Sequence, residues 1–164
     1  MNLPKPRQWA TAYATKEFIS VSTCSGLRSY ARDPSGEEMF FPHEVSYEQL
    51  GAGVLSALSV SKFLSPDEIG SFFDPATIEK NYEDWVALLT EKYEYKSRRA
   101  LFKDMKHCMI DRVDGVITIK PTNHEKLEAW GGKGIDSDDY KVISGSISEA
   151  EIGLALKSCF ERCL

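Results

Sequence analysis

Three histidines, His43, His107 and His124, are the residues of this chain best suited to move protons near neutral pH. Two of them flanking a phosphate would serve a ribonuclease as acid and base. His43 follows Pro42 in a loop, however, and His107 sits within a strand between Lys106 and Cys108. Nothing in their spacing makes them converge. Four cysteines at 24, 108, 159 and 163 form no CxxC pair. Cys159 and Cys163 are four apart and can share a helix face, but no further metal ligands stand nearby. No metal or cofactor is expected. No GxSxG, P-loop, GxGxxG or HExxH occurs.

Three further segments invite a chemical reading. Trp130-Gly131-Gly132-Lys133-Gly134 is glycine-rich, yet it lacks the strand before it and the helix after it that a phosphate cradle needs. Asp136-Ser137-Asp138 opens like a calcium loop but lacks the glycine and terminal glutamate. Lys96-Ser97-Arg98-Arg99, beside Tyr93 and Tyr95, has the charge and rings to hold RNA. Because the chain as a whole is acidic, pairing with its own excess of acids is the favoured reading.

The elements that must position these residues follow from length and patterning. The 164 residues, 42% hydrophobic and 27% charged, suit one globular domain spanning 1–164. No apolar run is long enough to cross a bilayer, and the opening MNLPKPRQWATAY has no signal-peptide core. A soluble cytoplasmic protein is expected, with no membrane partner. Net charge of −5 makes nucleic acid a poor first partner.

Strands are predicted over 9–15 and 17–23, with a turn at Asp33-Pro34-Ser35-Gly36 and a short apolar segment, Met39-Phe40-Phe41, stopped by Pro42. Ser46 and Gln49 form a capping box before Leu50, Val54 and Leu58, which mark a helix. Gly51 and Gly53 cost that helix about 1 kcal/mol each against alanine, so they predict close approach of another element. Ser65-Pro66-Asp67-Glu68 predicts a second helix start, and Asp74-Pro75 opens a third that runs to about Tyr95. Residues 99–112 read as strand-rich, and Asp114-Gly115 as a hairpin turn into 116–120. The stretch 122–139 reads as irregular. A short strand follows at 140–144, and then a helix capped by Ser148 and Glu151. The expected class is α+β, a mainly antiparallel sheet with helices packed on it.

Charge is uneven along this pattern. Residues 67–94 hold 8 acids and 2 bases, 95–106 hold 1 acid and 5 bases, and 136–151 hold 5 acids and 1 base. The acidic segments read as solvated faces or as docking surfaces for a cationic partner. On the second reading, the contacts are Glu79, Glu83 and Asp84 on the third helix, or Asp136, Asp138 and Asp139 in the acidic loop.

Gly26-Leu27-Arg28-Ser29, Phe41-Pro42 and the run Leu50-Gly51-Ala52-Gly53-Val54-Leu55-Ser56-Ala57-Leu58-Ser59-Val60-Ser61-Lys62 resemble the first half of one family. Tyr95-Lys96-Ser97-Arg98-Arg99-Ala100-Leu101-Phe102-Lys103-Asp104-Met105 resembles its central signature. Ile117-Thr118-Ile119-Lys120-Pro121 and Glu151-Ile152-Gly153-Leu154-Ala155-Leu156 resemble its final elements. The family is the contact-dependent growth inhibition (CDI) immunity proteins of the CdiI type. The resemblance implies a non-enzymatic protein that neutralises the C-terminal toxin domain of a cognate CdiA effector, with a ribonuclease as the expected toxin. It transfers no catalytic residues and does not identify the contact. Two other functions stay open on the residues alone: a small histidine-dependent nuclease or hydrolase, and an RNA-binding adaptor using 96–106.

Overall fold

The computed structural model describes residues 2–164. Its centre is an antiparallel sheet built from β1 (Gln8–Ala14), β2 (Phe18–Gly26), β3 (Tyr30–Arg32), β4 (Glu38–Pro42), β5 (Lys106–Val113), β6 (Val116–Pro121) and β9 (Lys141–Ile143). The order is β3-β2-β1-β5-β6-β9, and β4 pairs with the other half of β2. A small second sheet pairs β7 (Asn123–Lys126) with β8 (Ala129–Gly131). The helices are α1 (Tyr47–Ser59), α2 (Ile69–Phe72), α3 (Pro75–Lys92), α4 (Arg98–Phe102) and α5 (Glu149–Glu161). The predicted α+β class is the observed one.

Period-two alternation divides the sheet into two faces. Ala10, Ala12 and Ala14 point to one side, aligned with Ile19 and Val21 on β2 and with Cys108 and Ile110 on β5. Three alanines leave room for helices to settle close to the sheet. There α1 buries Leu50, Val54, Ala57 and Leu58, while α5 buries Ile152, Leu156, Cys159 and Phe160. Each fully buried large side chain stabilises the fold by roughly 1.5–3 kcal/mol. The two helices meet through glycine. A Cβ on Gly51 would collide with the Glu149 carbonyl, and one on Gly153 with the Tyr47 carbonyl. The predicted close approach at Gly51 is thus the α1–α5 contact, whereas Gly53 makes room for Phe41, 2.7 Å from where its Cβ would lie.

The opposite face carries Tyr13, Phe18 and His107, under α3 and α4. Trp85, Val86, Leu89, Leu101 and Phe102 close it. The hairpin β7–β8 adds Trp130, whose Nε1 donates to the Met105 carbonyl at 3.1 Å. The chain end is held too: Leu164 donates its N–H to Thr122, and its carbonyl accepts from His124.

The serine half of each expected capping box forms, Ser46 accepting from the Gln49 amide and Ser148 from the Glu151 amide, while the Gln49 and Glu151 side chains accept from the serine hydroxyls instead of reaching the cap amides. The Asp114-Gly115 turn has positive φ at both residues, 51° and 78°, as a type I′ hairpin requires. Four expectations need correction. The helix anticipated from Pro66 is one turn starting at Ile69, because no side chain caps its start. The segment 99–112 begins as helix: Ser97 accepts from the Ala100 amide and starts α4 before β5. The third helix ends at Lys92, where Glu94 takes φ of 54°. The stretch 122–139 contains β7 and β8, held by packing of Trp130 on His124.

Candidate partner-binding surfaces

Helix α3 is anchored at its start by Asp74, whose carboxylate accepts from the Thr77 amide at 3.1 Å. Its inner face is fixed by Trp85, Val86 and Leu89, so Glu79, Glu83 and Asp84 are turned outward and exposed. They do not form a uniform anionic stripe. Lys80 pairs with Asp84 at 2.6 Å, one helical turn apart. Glu83 accepts two bonds from Arg98, at 2.8 and 3.1 Å. The same guanidinium grips Glu128 with two bonds of 2.7 Å, and Tyr82 donates to Glu128 at 2.7 Å. Arg98 therefore ties α3, α4 and the β7–β8 hairpin together. Its hydrogen bonds hold the carboxyls of Glu83 and Glu128 below the usual range. Glu79 stands outside these pairs. Leu88, 44% exposed, adds an apolar spot one turn beyond Asp84.

The acidic loop folds into a single 3₁₀ turn, Ser137–Asp139. Asp136 accepts from the Asp138 amide at 3.1 Å, and Asp139 accepts from the Asp136 amide at 3.0 Å. Asp139 also pairs with Arg162, the residue that follows α5, at 3.2 Å. Two of its three carboxylates are thus occupied in holding the turn, and Asp138 is the one left to the solvent. Among the described residues no group of three or more His, Cys, Asp or Glu side chains is arranged to hold a metal ion.

A cavity of about 840 Å³ forms a groove that none of the six candidate carboxylates lines. It runs between the β1–β2 turn, α4 and the end of α5. Lys96, Lys103 and Lys106 line it with Lys16 and Lys157, but so do five carboxylates, Glu17, Glu44, Glu94, Asp104 and Glu161. The basic segment is therefore neutralised locally and makes no continuous cationic track. Nor are its tyrosines free as stacking platforms: Tyr93 lies flat on Phe18, 4.4 Å between centroids, and Tyr95 shares a hydrogen bond with Thr15 at 3.0 Å.

The histidines are partly brought together, which their spacing did not foretell. His107 and His124 both contact Trp130, with ring centroids 5.8 and 4.6 Å from the indole. They have no acid–base geometry, however. His107 is stacked on Tyr13 and bonded through Nε2 to Thr11, and desolvation pushes its pKa down to about 3. His124 uses Nε2 on the Leu127 carbonyl. His43 lines the lysine-bearing groove, away from both. The cysteines are all free thiols, with Cys108 and Cys163 in contact at 3.8 Å between sulfurs.

Comparison with known proteins gives one consistent answer. Residues 8–163 match the family described as CdiI, CDI immunity protein. Immunity protein CdiI-YPIII of Yersinia pseudotuberculosis serotype O:3 (strain YPIII) is 39% identical over 168 residues, 94% of either chain. A chain of the CdiA-CT/CdiI toxin and immunity complex from Yersinia pseudotuberculosis superposes with a TM-score of 0.92. It is 38% identical, and the match covers 99% of this chain and 100% of that one. A protein of unknown function, NMB0488 from Neisseria meningitidis, superposes with a TM-score of 0.91 at 38% identity over the full length of both chains.

Proposed function

This chain belongs to the CdiI family of CDI immunity proteins, and from that premise we propose that it binds the C-terminal toxin domain of a cognate CdiA effector and neutralises it stoichiometrically. The observation that carries the reading is the full-length likeness to a chain of a toxin–immunity complex. The protein works as one domain, in the cytoplasm, by occlusion and without chemistry of its own. The half-buried, neutral His107 and the carboxylates that share the groove with the basic segment support that over the nuclease and RNA-adaptor readings.

The toxin is a ribonuclease on this proposal. A cleft that attracts phosphate is cationic, and carboxylates presented by a rigid helix can mimic the phosphate it expects. Glu79, Glu83 and Asp84, or Asp136, Asp138 and Asp139, supply those carboxylates. Of the six, Glu79 and Asp138 are the ones whose charge no internal bond uses. A stable complex of this kind buries about 1,600 Å² in total.

Co-expression with the cognate CdiA C-terminal domain tests the reading directly. A 1:1 complex on size exclusion, and protection of total RNA when this chain is added in equimolar amount, are expected. RNA left intact by the toxin alone would refute the ribonuclease assignment, and absence of a complex would refute the function.

A further inference from the structure

A cavity of about 230 Å³ opens between β3 and the first half of α3, apart from the acidic faces and the large groove. Its walls include Tyr13, Tyr30, Arg32, Asn81, Tyr82 and His107. At ~30 Å³ per water this is space for several solvent molecules or one small organic group. No aspartate or glutamate lines it. In a chain of net charge −5, it is a pocket whose one formal charge is positive.

That charge is held between the Trp85 ring and the Glu38 carboxylate, but its Nε makes no hydrogen bond. The Arg32 guanidinium lies over Trp85, Cζ 3.9 Å from the ring centroid, with its side chain only 15% exposed. Its Nε is buried and donates to nothing. Its nearest carboxylate oxygen, on Glu38, is 3.8 Å away, and Glu38 already accepts from Ser22 at 2.5 Å and from Trp85 at 3.1 Å. His107 Nδ1 is likewise buried without a partner. Its Nε2 shares a hydrogen bond with the Thr11 hydroxyl, so the ring's polar capacity on the Nδ1 side is unused. Burial without a partner is costly for both groups.

We propose that this cavity is a receptor for one carboxylate on a flat apolar stem, with Arg32 as its anchor and the tyrosines as its walls. A guanidinium matches a carboxylate through two parallel hydrogen bonds. A singly charged anion suits a single cation, whereas a phosphate dianion would bring uncompensated charge into largely aromatic surroundings. Burial pushes the Tyr13 phenol up and holds His107 neutral, and the field of Arg32 opposes the first shift and adds to the second. The carboxylate comes either from a free small acid or from a side chain or C-terminus of the toxin domain; only the second source rests on the function proposed above.

The test is an NMR titration of the full ¹⁵N-labelled chain with benzoate, with inorganic phosphate as the comparison, following the Arg32 Nε–H and Trp85 Nε1–H signals. Saturable shifts at both, in the millimolar range, are expected with benzoate and not with phosphate. Arg32→Met should weaken binding at least ~10-fold, the loss of an ionic hydrogen-bond pair. Because that change strands Glu38, Ile78→Trp provides the second variant: it fills the cavity from α3 and should abolish binding in a folded chain. Absence of saturable shifts, equal binding of phosphate, or binding that survives both variants would overturn the proposal. Displacement of benzoate by the toxin domain identifies the toxin as the source; simultaneous binding identifies a free acid. A toxin domain that does not bind at all removes the proposed function and leaves the benzoate result standing.

Discussion

Gly51 of α1 lies so close to the Glu149 carbonyl of α5 that no side chain fits between them. Gly153 repeats the relationship in reverse against Tyr47. The two helices covering the alanine face of the sheet are thereby in backbone contact. Alanine at either position gains about 1 kcal/mol of helix propensity. It must also push two packed helices apart, an overpacking cost of about 1–3 kcal/mol. Because the obstacle is backbone, the upper end applies. Gly51→Ala and Gly153→Ala should each lower the free energy of unfolding by about 2 kcal/mol, read from urea denaturation.

Charge reversal separates the carboxylates that serve a partner from those that hold the fold. Glu79→Lys with Asp138→Lys touches no internal ion pair described above. It should slow association with the toxin domain about tenfold at low salt, with a flatter salt dependence. Unchanged association in stopped-flow measurements would remove both acidic surfaces from the interface. Glu83→Lys differs, because it also breaks the Arg98 bridge between α3 and the β7–β8 hairpin. It should speed amide exchange at Glu128 and Ala129 even without the toxin.

His107 should make the protein acid-sensitive. Its pKa falls from 6.5 to about 3 on folding, so the unfolded chain binds the extra proton first. Its neutral form is accommodated fully above pH 6.5. Stability is then lost as pH drops from 6.5 toward 3, by an amount of the order of a few kcal/mol at ~1.4 kcal/mol per unit. Carboxylates held low, such as Asp33, add their own loss in acid. The difference between wild type and His107→Gln isolates the histidine: the variant's curve should be flatter between pH 6.5 and 4, by urea titration at each pH. The same variant should still neutralise the toxin.

Ser97 is a short-range prediction. Its hydroxyl accepts from the Ala100 amide at 3.0 Å and starts α4, the element that carries Arg98. Ser97→Ala should cost about 1 kcal/mol in thermal or urea unfolding.

Features that depend on neighbours along the chain were readable in the residues: both serine caps, the Asp114-Gly115 turn and the strand at 116–121. Helix α4 was not, since five residues show no helical period and Arg98–Phe102 fits a strand as well. The hairpin at 123–131 escaped for another reason. Asn123–Lys126 has no β-branched residue, and its order comes from Trp130 packing on His124 and Phe102. The acidic segments were visible as composition, but not which carboxylates were spoken for. Arg98 reaches Glu83 across 15 residues and Glu128 across 30, and no local pattern encodes that. The cavity beside Arg32 is more remote still, assembled from five separate elements.

The glycine contact between α1 and α5 also sets when the chain can protect anything. During translation the first helix emerges almost ninety residues ahead of its partner, and β1 must likewise wait for β5. Until the ribosome has released residues 149–161, the alanine side of the sheet stays uncovered. A newly made molecule therefore cannot complete this side of the sheet before α5 has emerged. A cell's protection should depend on its standing stock of finished molecules, more than on how fast it can begin new ones.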